Sequence, residues 1–158
     1  MKKDVENKDK LYLRDDWFCY PDKNKPLDTL FRGHLCIEYA ITCILSKKLK
    51  DKKQINIDNL NFYKKIELLY ILDIIDSISF DILKEINSLR NKLAHDLDFT
   101  VSIEMLKGIA TSMEKSIFRE MFEENCIAMR DIVDIDGLLT EEISAVYLTL
   151  INIFEEIN

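Results

Sequence analysis

Residues 82–95 read ILKEINSLRNKLAH, and apolar side chains recur along this stretch with the spacing of an α-helix. Intervals of four, three and four residues place four of them on one helix face, namely Ile82, Ile86, Leu89 and Leu93. A polar stripe runs beside that face at intervals of four residues, through Asn87, Asn91 and His95. The stretch therefore predicts a helix that buries one face and presents a polar edge next to it.

Helical spacing extends over most of the chain. Apolar residues make up 47% of it, and only three glycines and two prolines interrupt the pattern, which favours helices over sheets. Asp58 is the predicted N-cap of a second helix and Thr140 that of the last, with Glu142 in its first turn. We predict an all-α fold: an antiparallel bundle of about five helices, formed by residues 27–158 as one domain after a polar arm over 1–26.

The net charge of −7 conceals an asymmetry between the two parts of the chain. Residues 1–65 carry 15 Lys and Arg against 10 Asp and Glu, whereas residues 66–158 carry 7 against 19. The acidic part argues against a broad grip on duplex nucleic acid, and against direct repression on duplex DNA, because both need many phosphate contacts. A small site that meets RNA locally is compatible with this charge distribution.

Neither a membrane span nor a secretion signal is predicted. No run of 18 uncharged apolar residues occurs, and the opening sequence MKKDVEN lacks the apolar segment of a signal peptide. The four cysteines show no CxxC spacing, so free thiols in a reducing compartment are favoured over disulfides. We expect a cytoplasmic protein without membrane contact.

Arg90 and His95 carry the chemistry of the opening stretch. An arginine is always charged and can bond two phosphate oxygens, and a histidine transfers protons near neutral pH. The two residues lie about 140° apart on an ideal helix, so they meet only if the arginine bends or the helix ends near Ala94. The structural alternative is that Arg90 pairs with a carboxylate and His95 caps the C-terminus of the helix.

The hexapeptide Arg90-Asn91-Lys92-Leu93-Ala94-His95 resembles the Arg-(four to six residues)-His motif of the HEPN superfamily, including the polar residue after the arginine. Upstream, Phe62–Leu72 followed by Ile86–His95 is similar to the core of mannitol-repressor-like proteins. The segment Phe31-Arg32-Gly33-His34-Leu35 opens a first helix in a comparable way, and the resemblance covers roughly residues 27–123. It implies a helical dimer that cleaves RNA without a metal at facing motifs.

RNA cleavage assigns roles to the motif residues. His95 would transfer the proton of the 2′-hydroxyl or of the leaving oxygen, and Arg90 would stabilise the charge of the transition state. Asn91 and Asn87 would support them as hydrogen-bonding groups, although solvation is the simpler role for Asn87. One chain offers one motif histidine, so a homodimer is expected to supply both an acid and a base.

His34 and Glu38, four residues apart on the first helix with Arg32 close by, form a second polar feature. They could make an internal hydrogen bond or a pair at a dimer interface. Alternatively, Glu38 or Arg32 supports the motif across the bundle. His34, Glu38 and a cysteine do not form a recognised metal set, so neither a metal nor another cofactor is expected.

Two functions stay open. One is a metal-independent endoribonuclease of the toxin or phage-defence type, with RNA as its substrate and a separate antitoxin as a partner. The other is a non-catalytic, mannitol-repressor-like transcriptional regulator or protein-interaction module, with a regulatory protein as its partner. The Arg90–His95 pair favours the first function, and the match over Phe62–Leu72 favours the second.

Overall fold

The structure is a computed structural model that describes residues 26–50, 55–126 and 135–157. These ranges hold six α-helices: α1 Pro26–Lys48, α2 Phe62–Ile71, α3 Ser77–His95, α4 Ile103–Met113, α5 Arg119–Cys126 and α6 Ile135–Glu156. A single 3-10 turn, Ile57–Asn59, precedes α2, and the described ranges contain no strand. The predicted all-α bundle is confirmed, whereas the polar arm predicted over 1–26 lies outside the described residues apart from Pro26.

The core is centred on α1 and α6, which pack against each other over much of their length. Ile37 and Ile44 of α1 and Ile143 and Leu150 of α6 are fully buried. The two helices approach closely at Gly33, where a Cβ atom would clash with the side chain of Ile143. The absence of a side chain at this position therefore sets the spacing of the central helix pair.

By length and composition alone, α6 is apolar enough to cross a membrane. It packs against α1, α4 and α5, and 44% of its most apolar window is buried inside the bundle. The core helix of a globular domain can have the same length and composition, so these two properties do not distinguish a core helix from a membrane-spanning one.

The hairpin of α2 and α3 carries the motif. Asn61 caps α2 by accepting a hydrogen bond from the backbone N–H of Lys64, and Asp76 caps α3 by accepting one from that of Ser79. The connection between them includes Asp73 at a φ of 54°, a left-handed conformation that aspartate tolerates better than most residues. Short side chains with acceptor oxygens thus fix the start of each helix of the hairpin.

The predicted apolar stripe of α3 faces the core. Ile82, Ile86 and Leu89 are buried, and Leu93 packs against the core while partly exposed. Since α3 continues to His95, the whole motif lies on one uninterrupted helix.

Two predicted helix starts are wrong. The N-cap of α2 is Asn61, and Asp58 lies in the preceding 3-10 turn. α6 begins at Ile135, so Thr140 lies within it and donates its hydroxyl hydrogen to the carbonyl oxygen of Asp136, at 2.7 Å. That bond back to the preceding turn is the one a threonine makes inside a helix, where it cannot act as a cap.

Candidate functional site

Arg90 lies half-buried on α3. Its Nη1 donates a hydrogen bond to Oδ1 of Asn91 at 2.9 Å, and its Cζ lies 5.4 Å from the centre of the Phe31 ring. Among the described residues no carboxylate forms an ion pair with it, so the carboxylate partner considered as an alternative is not found. The other N–H donors of the guanidinium have no ion-pair partner among the described residues.

His34 of α1 reaches the motif helix. Its Nε2 lies 3.0 Å from Oδ1 of Asn87, and its ring centre lies 4.3 Å from that of Phe62. Only 3% of the residue is exposed. Because the oxygen of Asn87 faces the ring, Nε2 carries the proton and donates this hydrogen bond.

Burial is the main reason that the pKa of His34 is lowered from 6.5. The hydrogen bond with Asn87 raises this pKa, the charge of Arg90 lowers it further, and the charge of Glu38 raises it. Since the net direction is downward, His34 is neutral at neutral pH. His34 consequently adds no positive charge beside Arg90 at neutral pH.

Glu38 and Arg32 have partners away from the motif. Oε1 of Glu38 lies 2.8 Å from Nζ of Lys65, whose side chain is only 7% exposed. Nε of Arg32 lies 2.9 Å from Oδ1 of Asp28 in an exposed pair. The support across the bundle that was expected from Glu38 or Arg32 is provided by the hydrogen bond of His34.

His95 is exposed at the end of α3, and it makes no hydrogen bond, ion pair or ring contact with another described residue. Asp96 is the C-cap residue of the helix, and the Leu97 that follows it is fully exposed. The imidazole is thus accessible to another molecule. The structure does not bring His95 into contact with Arg90.

The motif residues and His34 therefore divide into three groups, while Glu38 and Arg32 pair elsewhere. His34 and Asn87 form one hydrogen-bonded pair, Arg90 and Asn91 form another, and the charge of Arg90 acts on His34. His95 stands apart from both pairs. Within the described ranges, no three His, Cys, Asp or Glu side chains converge on a point where they could hold a metal ion.

Sequence reasoning missed three contributors to the site, namely Phe31, Phe62 and Lys65. A usable indication for Phe31 was its helical spacing, because residues 31, 34 and 38 fall on one face of α1. Lys65 gave no comparable sign, since an isolated lysine on a helix is usually exposed.

A separate exposed feature lies on the α2–α3 hairpin. The rings of Tyr63 and Tyr70 have their centres 6.1 Å and 5.4 Å from that of Phe80. Tyr63 is 42% exposed and Tyr70 is 45% exposed. We call these three residues the aromatic surface; tyrosine and phenylalanine are enriched where proteins contact one another.

No protein-family model, curated protein or solved structure matches this chain. The chemistry of the site therefore rests on its own residues. These are a guanidinium at Arg90 that pairs with no carboxylate of residues 26–50, 55–126 and 135–157, a neutral buried imidazole at His34 and an exposed imidazole at His95.

Proposed function

We propose that this chain is a HEPN-like endoribonuclease, which acts on RNA in the cytoplasm as a homodimer and without a metal. The observation that carries the proposal is the environment of Arg90. Its guanidinium is half-buried beside Phe31 and Asn91, with no carboxylate among the described residues to neutralise it. An arginine in such surroundings suits an oxyanion, because the attraction is stronger where water is partly excluded.

The proposed reaction uses the nucleophile that RNA carries. The 2′-oxygen attacks the adjacent phosphorus, and His95 takes the 2′-hydroxyl proton. The bond from phosphorus to the 5′-oxygen breaks, and the partner subunit's His95 donates a proton to that leaving oxygen. The products are a 2′,3′-cyclic phosphate and a 5′-hydroxyl, while Arg90 stabilises the negative charge that grows on the phosphoryl oxygens.

A second copy enters because one chain supplies only one accessible histidine. His34 is 3% exposed and is engaged by Asn87, so it cannot reach a leaving oxygen. Two exposed apolar residues within two positions of site residues in sequence fit an interface between copies: Leu35 is 55% exposed, and Leu97 is fully exposed. Sedimentation that shows only monomer at micromolar concentration would contradict the shared site.

The test is to incubate varied RNAs in EDTA with the wild type, His95→Ala and Arg90→Ala. We expect each substitution to slow cleavage by about a hundred- to ten-thousand-fold, the usual contribution of a catalytic acid or base or of a charge-stabilising group. Lys92→Ala is the matched control, because Lys92 is exposed on the same helix and lies over Phe99. Equal cleavage by all variants would refute the site, and loss of cleavage in EDTA would indicate a metal-dependent reaction.

The second candidate function is a non-catalytic, mannitol-repressor-like regulator or interaction module. The observation that favours it is the aromatic surface, which belongs to the hairpin but includes neither Arg90 nor His95. Such a surface suits a separate protein, either an antitoxin or a regulatory partner. A folded wild-type dimer that cleaves none of the RNAs would favour this function over the first.

A further inference from the structure

Two contacts, one helical turn apart, join α1 to the motif helix α3. On α1 they are made by Phe31 and His34, and on α3 by Arg90 and Asn87. Phe31 and His34 are three residues apart on α1, so they lie on one face of that helix. Asn87 and Arg90 are likewise three residues apart on one face of α3. From the first contact to the second, the residue number rises on α1 and falls on α3. The two helices are therefore antiparallel where these contacts join them.

We propose that His34 is a positioning residue for Arg90: its hydrogen bond to Asn87 fixes the rotation of α3 about its own axis, and thereby the direction of the guanidinium. This inference rests on the proposed function, because it assigns a role within the same site. His34 acts through Asn87 and Arg90 and does not touch the RNA.

The surroundings of His34 make it suited to this role. The ring is held against Phe62 and is 3% exposed, so it has little room to reorient. One turn further along α1, the ion pair of Glu38 with Lys65 ties the same helix to α2. Both helices of the hairpin are therefore attached to α1 by polar contacts on one face, and the directional bond of His34 adds to the restraint that the buried face of α3 already provides.

The role is geometric rather than electrostatic. Burial keeps the pKa of His34 below 6.5, so the ring is neutral at neutral pH and adds no charge beside Arg90. Its Nε2–H is a donor that loses its only hydrogen bond among the described residues if α3 turns away. An unpaired buried donor is unfavourable, and this penalty opposes the rotation.

The experiment compares His34→Leu, which removes the donor, with His34→Gln, whose amide N–H₂ can take the place of Nε2–H. The reporter is the Nε–Hε resonance of Arg90 in a nitrogen–proton NMR spectrum. It is identified among the five arginines of the chain by its disappearance in Arg90→Lys. The Phe31 ring near the guanidinium gives this resonance a ring-current shift that depends on where the guanidinium points.

We expect His34→Leu to move the Arg90 resonance and to lower kcat for RNA cleavage about tenfold with little change in KM, because misplacement of a catalytic group costs rate rather than binding. His34→Gln should restore both. If His34→Leu does not fold, Asn87→Ala removes the acceptor from the α3 side and is judged by the same readouts.

The outcomes separate this inference from the ribonuclease itself. An unmoved Arg90 resonance and an unchanged kcat in a folded variant would overturn the positioning role while the ribonuclease stands. A resonance that moves in His34→Leu and returns in His34→Gln, in a protein whose wild type cleaves no RNA, would support the positioning of Arg90 and refute the ribonuclease.

Discussion

Polar side chains are buried in two parts of this molecule, and their environments differ. Near the motif helix, His34 is hydrogen-bonded to Asn87, and Lys65 is ion-paired with Glu38. On α6, Glu142 is 1% exposed, and neither of its carboxylate oxygens has a hydrogen-bond partner in the part of the chain that the structure describes. The first region pairs these polar groups, whereas the second buries a carboxyl group that no described residue hydrogen-bonds.

The consequence for charge follows from that difference. Burial raises the pKa of Glu142 to about 9, and the charge of Glu85 adds to the shift. The backbone of Ala110 opposes it, but no hydrogen bond of good geometry forms there. Glu142 is therefore buried as a neutral acid, whereas Lys65 is buried in an ion pair with Glu38. A buried ionisable group keeps its charge only where a partner offsets the loss of water.

The largest effect is expected from Glu142. Its pKa is about 9 in the folded protein against an ordinary 4.5, so the folded state holds a proton that the unfolded chain releases between these values. The stabilisation that this proton adds to the free energy of unfolding is fully present below pH 4.5. It is lost as pH rises towards 9, at about 1.4 kcal/mol per pH unit. From pH 5 to 8 the free energy of unfolding should fall by about 4 kcal/mol.

Urea denaturation at several pH values checks this slope. Glu142→Gln should remove it, whereas Glu155→Gln, which alters an exposed carboxylate on the same helix, should retain it. A wild type and a Glu142→Gln variant with parallel pH profiles would show that Glu142 is ionised in the folded protein.

The next largest effect on the free energy of unfolding is expected from breaking the ion pair between Glu38 and Lys65. Glu38→Leu leaves the charge of Lys65 buried without compensation, which should cost about 3 kcal/mol of unfolding free energy, at the low end for a buried pair because Glu38 is partly exposed. The double variant Glu38→Leu, Lys65→Met should recover most of the loss, since it removes both charges. Denaturation midpoints of the three proteins measure this, and a single variant as stable as the wild type would argue that Lys65 reaches water.

A third prediction concerns the contact between Gly33 and Ile143. Gly33 precedes His34 in sequence, and Ile143 follows Glu142. Gly33→Ala should cost about 2 kcal/mol, because the new methyl group overpacks the contact between α1 and α6. Gly108→Ala is the control: nothing lies within 4 Å of a Cβ there, so the gain in helix propensity should stabilise α4 by about 0.5–1 kcal/mol. Thermal unfolding should therefore shift in opposite directions for the two variants.

The smallest effect is the acid counterpart of the first. The pKa of His34 is lowered from 6.5, so the unfolded chain takes up a proton before the folded protein does, and stability is lost as pH falls below 6.5. The Asn87 bond and the charge of Glu38 both oppose the shift, which keeps the effect below that of Glu142. His34→Gln should lessen this loss relative to His95→Gln, a change at an exposed histidine. If the free energy of unfolding falls equally below pH 6.5 in both variants, His34 is not the source of the loss.

The helix that carries the motif was predictable because its information is local. The spacing of Ile82, Ile86 and Leu89 gives the buried face of α3 without reference to the rest of the chain. The same reasoning flagged His34 and Asn87 separately. It could not pair them, because contact between helices depends on their crossing angle and relative register, which no single segment encodes.

Glu142 shows how one local error spreads. With Thr140 interpreted as a cap, Glu142 falls in the first turn of the last helix, where a carboxylate is favourable and exposed. In the structure α6 starts at Ile135, six residues before Glu141, where a helix capped by Thr140 would begin. Glu142 therefore lies in the second turn of a core helix, with its side chain buried. A shift of one boundary thus turns an ordinary surface acid into a buried neutral one.

The contact between Gly33 and Ile143 joins residues about 110 positions apart, whereas α2 and α3 are linked by a turn of only a few residues around Asp73. Closing a long loop costs more conformational entropy than closing a short one, so contacts between distant residues form more slowly. We therefore expect the hairpin to form early and α6 to dock late. Until it docks, α1 leaves uncovered the apolar surface that α6 will bury. The time order of folding, rather than the final stability, then decides how long this chain is exposed to aggregation.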